Sequence, residues 1–141
     1  HTATPTPRWY AFIELEDSAL YWNIHSIAAW PQDNPVIVEL TVKYVWNKAG
    51  LDKRLKYLKA QKKYSAGVDG LSYTLANYQF LLTENRGRML SEADYDAQGQ
   101  RRTLLESWDW HDIAKGSKED HARRIALKWL KDKESYGQHH K

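Results

Sequence analysis

The sequence predicts an α+β domain, built as a meandering antiparallel β-sheet of about six strands with a C-terminal helix packed on one face and an additional basic helix in the middle of the chain. Three observations lead there. Apolar and polar residues alternate at period two in several short segments, most plainly over residues 36–46. The period changes to that of a helix over residues 51–63. A second helical stripe, Ala122, Ile125, Ala126, Trp129 and Leu130, closes the chain.

Taken in order, residues 9–16 alternate, with Trp9, Ala11, Ile13 and Leu15 on one face and Tyr10, Phe12, Glu14 and Glu16 on the other. Asp17-Ser18 supplies a turn, and Leu20, Trp22 and Ile24 share a face in a second short strand, which makes a hairpin. The stretch Pro31-Gln32-Asp33-Asn34-Pro35 is a loop. The next strand puts Val38, Leu40, Val42, Tyr44 and Trp46 on one face, with Glu39, Thr41 and Lys43 on the other. One face is dry and one mostly wet, as in an antiparallel sheet covered on a single side.

Leu51, Leu55 and Leu58 stand at i, i+4 and i+7, which is a narrow apolar helical stripe. Residues 65–70 break that helix. Strand character returns at 72–82, 88–95 and 100–107, separated by the turns Thr83-Glu84-Asn85-Arg86-Gly87 and Asp96-Ala97-Gln98-Gly99. Ser117 is placed as N-cap of the last helix, with Glu119 and Asp120 in its first turn where the helix dipole favours negative charge. Residues 1–8 read as a disordered Pro/Thr leader, 9–133 as a single domain and 134–141 as a flexible polar tail.

The 141 residues fit one domain, and 42% hydrophobic with 28% charged residues is ordinary for a globular protein. A net charge of +3 is too mild to imply a nucleic-acid protein, so clustering of the positive residues decides. Seven Trp and nine Tyr stand against two Phe. Such side chains suit half-buried sheet faces and binding surfaces alike. The absence of Cys excludes thiolate zinc sites, disulfides and Cys nucleophiles. No apolar run is long enough for a transmembrane segment. The start at His1 fits a removed signal peptide, with an engineered boundary as the competing explanation.

Four constellations bear on chemistry. His111 beside Asp109 and Asp112 has the ingredients for proton transfer or metal binding, but His25 and His121 supply no converging pattern and a solvated loop accounts for it better. His139-His140 belongs to the tail, and Gly67-Val68-Asp69-Gly70 lacks the Lys-Ser/Thr of a phosphate loop. No catalytic residue, metal ligand or cofactor is assigned, and an enzyme is not expected. The strongest hint is basic: Lys48, Lys53, Arg54, Lys56, Lys59, Lys62 and Lys63 fall within sixteen residues, opposed only by Asp52 and interleaved with Tyr57 and Tyr64. Of these, Lys53, Arg54, Lys56, Tyr57, Lys59, Lys62 and Lys63 are the candidate binding residues. The helix is either a surface for an anionic partner or a solvated face whose Lys stems cover apolar neighbours. Nucleic acid is the less favoured anion, because no recognised module accompanies the charge.

Several landmarks, in series, resemble the surface-adhesin protein E family of bacterial exported proteins. They are Trp9-Tyr10-Ala11-Phe12-Ile13, Tyr21-Trp22-Asn23-Ile24-His25-Ser26-Ile27, the strand 38–46, Tyr78-Gln79-Phe80, Arg88-Met89-Leu90, Tyr95-Asp96-Ala97-Gln98-Gly99, and Trp110-His111-Asp112-Ile113-Ala114-Lys115-Gly116-Ser117. The series keeps its order over residues 9–130. It departs from the family in lacking a Cys pair, in Lys115 where Pro is usual, and in its longer basic helix. The resemblance implies a periplasmic or cell-surface protein, a sheet with a packed helix, and binding of a protein or glycan partner without catalysis. An intracellular nucleic-acid or acidic-partner binder using residues 48–63 is the alternative. An exposed sheet edge leaves a homodimer open.

Overall fold

The computed structural model describes residues 9–31, 33–63 and 70–139, with side chains as far as Lys133. The leader 1–8, Tyr64, residues 67–69 and His140 lie outside the described residues. The chain runs β1 (Trp9–Glu14), β2 (Ser18–Asn23), a short 3-10 turn (Ile24–Ser26), β3 (Ala28–Trp30), β4 (Ile37–Trp46), α1 (Lys48–Ala60), β5 (Leu71–Leu81), β6 (Arg86–Asp96), β7 (Arg101–Leu105), β8 (His111–Asp112) and α2 (Lys118–His139). It is an α+β fold on one antiparallel sheet. The strand order is β1-β2-β4-β5-β6-β7, with β3 also on β4 and β8 also on β6.

Six strands were expected and the described residues form eight, yet the sheet is six strands wide. β2 pairs with β4 over residues 42–46, and β3 takes over the same edge at residues 37–39. β7 pairs with β6 at residues 92–95, and β8 follows on that edge at residues 86–87. Both additional strands have three residues or fewer, too short for a period of two to show in the sequence.

β4 alternates as its sequence dictates, with Val38, Leu40 and Val42 fully buried and Tyr44 nearly so. β1 does not. Its register shifts between Ala11 and Ile13, so Phe12, Ile13 and Leu15 all pack on the core and Ala11 is exposed. A bulge spends one residue without changing face, which strict alternation cannot anticipate. Ile24 likewise leaves the strand and is exposed in the 3-10 turn.

Both helices cover the face that carries Val38, Leu40 and Val42. Ala122 and Ala126 of α2 are fully buried against it with Ile113, their small side chains letting the helix approach closely. α1 seals the other end through Leu58 and Leu71, flanked by Leu51, Leu55 and Leu105. α1 begins a turn before the expected residue 51, because the Asn47 side chain accepts from the Gly50 N–H at 2.9 Å. Ser117 caps α2 as expected, accepting from the Asp120 N–H at 3.1 Å, and Asp120 in turn accepts from the Gly116 N–H at 2.9 Å. α2 continues helical to His139 where a flexible tail was expected from residue 134. Residues 131–139 contain no Pro to stop it.

Candidate functional site

The basic helix splits its residues between two environments. Lys56 and Lys59 lie on the outer surface, and Lys62 and Lys63 lie beyond its end at Ala60, also exposed. Arg54 turns inward. Positions 51, 54, 55 and 58 share one helical face, so Arg54 rides on the leucine stripe and is only 8% exposed. Arg54, one of the expected binding residues, thus meets two carboxylates of the chain itself. Its Nε and Nη2 donate to the two carboxylate oxygens of Asp94, each at 2.9 Å, and its Nη1 lies 2.7 Å from Glu92 Oε1. Tyr57 stacks on the guanidinium at 5.2 Å.

With Lys53, these residues form one wall of a cleft of about 500 Å3 between α1 and the start of α2. Gly50 brings the wall close, since a Cβ there would lie 2.0 Å from the carbonyl oxygen of Asp17. Tyr44, Tyr78 and Glu92 form the floor, Trp46 and Asp17 the lip, and Ser117, Lys118 and Glu119 the far wall. Beneath it, Asp94 is saturated, accepting from the Thr74 and Thr103 hydroxyls as well as from Arg54. Thr74 also accepts from Trp46 Nε1 at 2.8 Å. At the lip Lys118 pairs with Asp17 at 2.9 Å.

Two features of the cleft are incompletely satisfied. Glu92 has the Arg54 ion pair but accepts no aligned hydrogen bond at Oε1. Burial holds its carboxyl above the usual range in spite of Arg54. Tyr44 and Tyr78 are both 2% exposed and bond hydroxyl to hydroxyl. Two hydroxyls carry two donor protons, and their mutual bond uses one. Burial pushes both phenols well above their ordinary pKa. For Arg54, burial alone would favour the neutral form, but the two carboxylates outweigh it and hold the guanidinium charged.

Among the described residues the opposite face of the sheet carries no helix. Alternation puts residues 39, 41, 43 and 45 of β4 there. Two polar ladders cross it. One runs from Thr41 to Asn77 to Ser91, and the other from Arg88 to Gln79 to Glu39 at 2.9 and 3.2 Å. Aromatic groups flank them. Tyr73 and Tyr95, a directly opposed pair, stack at 5.1 Å and 6°. The Lys43 ammonium lies 4.6 Å from Tyr73 and 5.7 Å from Trp9. At the other end Arg88 lies between Trp110 at 4.5 Å and Trp108 at 5.4 Å. Trp108 is 52% exposed with φ 68, a left-handed conformation that is a true outlier for so bulky a residue.

No family model, curated protein or solved structure matches this chain.

His111 has both ring nitrogens engaged, Nε2 with Glu119 at 2.6 Å and Nδ1 with the Asp109 carbonyl at 3.2 Å. Asp112 sits 3.6 Å from Arg86. The imidazole therefore ties β8 to the first turn of α2. Among the described residues no group of three His, Asp or Glu could hold a metal ion, and no helix is long and apolar enough to cross a membrane.

Of the expected binding residues the structure thus brings Lys53, Arg54 and Tyr57 together and leaves Lys56, Lys59, Lys62 and Lys63 apart from them. Glu92, Asp94, Tyr44, Tyr78 and Glu119 were not anticipated. The signal for Arg54 was present, in a cation sharing a face with three leucines. No spacing connects it to acids some forty residues away.

Proposed function

We propose that this chain is an exported bacterial binding module that acts without catalysis, contacting a protein or glycan partner through the bare face of its sheet. The observation that carries the reading is that face: Trp9, Lys43, Tyr73 and Tyr95 at one end and Arg88, Trp108 and Trp110 at the other, around two hydrogen-bonded polar ladders. Tyr, Trp and Arg are the residues that dominate recognition energy, because they bring large rigid area at little entropic cost. The positive φ of Trp108 adds support, since strained and exposed side chains concentrate at binding sites. Export rests on the landmark series from Trp9 to Ser117 and its resemblance to the surface-adhesin protein E family.

The experiment screens the whole chain on a glycan array and a panel of extracellular proteins, then titrates the best hit against Tyr73→Ala, Tyr95→Ala and Trp108→Ala. Each is expected to weaken binding about tenfold or more while melting close to the parent. A second reading rests on the exposed Lys56, Lys62 and Lys63, which suit an anionic partner, nucleic acid included. If the aromatic variants bind normally while neutralising those lysines abolishes a steeply salt-dependent interaction, the sheet-face reading is replaced by this one. Fractionation that finds the native protein in the cytoplasm removes export.

A further inference from the structure

We propose that His111 is a proton-operated latch on residues 107–112, the strap that carries Trp108 and Trp110 onto the bare face of the sheet. The latch is a property of the strap and is read without a partner. What it regulates rests on the sheet-face reading above.

The strap runs along the edge of β6 between β7 and β8. At its far end Ile113 is fixed in the core. Elsewhere its ties are few or long. β8 is two residues in length, and the Trp108 N–H donates to the Met89 carbonyl at 3.1 Å. Arg88 reaches the Trp108 carbonyl at 3.5 Å, and Arg86 reaches the Trp110 carbonyl at 3.4 Å and Asp112 at 3.6 Å. His111 makes the short contact. It stands opposite Gly87, on the side of the sheet that the helices cover, and its Nε2 lies 2.6 Å from Glu119 Oε2 in the first turn of α2. Its Nδ1 lies 3.2 Å from the Asp109 carbonyl. One contact anchors the strap to α2. The other closes the turn that directly follows the left-handed Trp108.

Donor counting shows what the ring must carry. Both partners are acceptors, a backbone carbonyl and a carboxylate. A neutral imidazole has one N–H and one bare nitrogen, so in either tautomer a lone pair faces an oxygen. Only the imidazolium donates at both ends. When the proton leaves, one contact is released. The shorter, charge-assisted bond to Glu119 keeps the remaining N–H. The bond to Asp109 is the one that goes, and the turn bearing Trp108 and Trp110 loosens.

The charges around the ring agree with this. Burial works against the protonated form, as does Arg86 on β6, but Glu119 and the Asp109 carbonyl outweigh them and raise the pKa. Arg86 is countered by Asp112, and the Asp109 carboxylate is exposed. On α2, Lys118 is matched by Asp17 and Asp120 by Arg124. With the folded value raised, the latch is closed in mild acid and opens as pH rises through that value.

The test follows the His111 ring and the Trp108 and Trp110 indole N–H signals by NMR, in the isotope-labelled whole chain from mildly acid to mildly alkaline pH. Both indole signals are expected to shift in step with the His111 ring. The Trp108 amide loses about twofold in exchange protection above the midpoint, the scale of a partly exposed pair. His25→Gln, on the opposite edge of the sheet, leaves these shifts in place. Glu119→Gln separates the latch from a general effect of charge. A side-chain amide donates as readily as it accepts, so a neutral ring then satisfies both contacts and the indole signals stop following pH. Indole signals that stay fixed while His111 titrates, or that follow pH unchanged in the folded Glu119→Gln variant, overturn the proposal. Titrating indole signals beside a Trp108→Ala variant that binds its partner normally support the latch and refute the sheet-face reading instead.

Discussion

Replacing Arg54 with Met isolates the charge of the buried cluster from its packing. Met keeps the apolar stem that lies among Leu51, Leu55 and Leu58 and removes the guanidinium that holds Glu92 and Asp94. Asp94 is fully buried and Glu92 is 14% exposed, so little solvent replaces the lost partner. Breaking a buried pair by deleting one member costs about 3–5 kcal/mol, because a carboxylate is left without its counter-charge. Against a domain stability of about 5–15 kcal/mol this is a large fraction. With a urea m-value of about 1.5 kcal/mol/M the midpoint falls by about 2–3 M, read from tryptophan fluorescence. Lys56→Ala on the outer face serves as reference and stays within about 0.5 kcal/mol.

The same substitution carries a pH signature. Burial already raises the Glu92 carboxyl above its ordinary value, and without Arg54 it rises further. A carboxyl whose folded pKa lies above its unfolded value costs stability at high pH, and the cost disappears as pH falls through the folded value. The gap between parent and Arg54→Met is therefore widest near neutrality and narrows in mild acid. A loss no larger than that of Lys56→Ala, or a gap independent of pH, would refute the view that Arg54 neutralises this cluster.

Other outcomes follow from the same geometry. Gly50→Ala drives a Cβ into the Asp17 carbonyl, so α1 must shift away from the β1–β2 turn; a loss of about 1–3 kcal/mol in chemical denaturation is expected, and a neutral effect would contradict the close approach. Leu58→Ala empties the centre of the smaller core and costs about 2–5 kcal/mol in the same assay. For His111, burial alone would lower the pKa, but Glu119 and the Asp109 carbonyl outweigh it and raise it. Its contribution is therefore complete below the unfolded value and lost as pH rises through the folded one. With the side chain 42% exposed that contribution is about 0.5 kcal/mol at most, and Glu119→Gln should flatten this part of the stability–pH curve.

The sequence by itself determined the α+β class, the dry face of β4, the leucine stripe of α1 and the Ser117 cap of α2. Each follows from contacts between neighbours on one element, where the period of the backbone alone decides which side chains share a face. It did not yield β3 and β8, which are too short to carry a period, or the bulge in β1 that sends Phe12 and Ile13 to the same core. The run of Lys and Arg showed a basic helix, and helical spacing put Arg54 on its apolar side. Only the tertiary structure decided that Glu92 and Asp94 wait beneath it and that Tyr44 and Tyr78 meet across two strands. It alone laid the aromatic groups of four separate segments, at Trp9, Tyr73, Tyr95 and Trp108 with Trp110, on one sheet face that carries no helix among the described residues. Those relations join residues from twenty to forty positions apart or more. They depend on how β4, β5 and β6 stack in register and on which face both helices cover, and no local period encodes either.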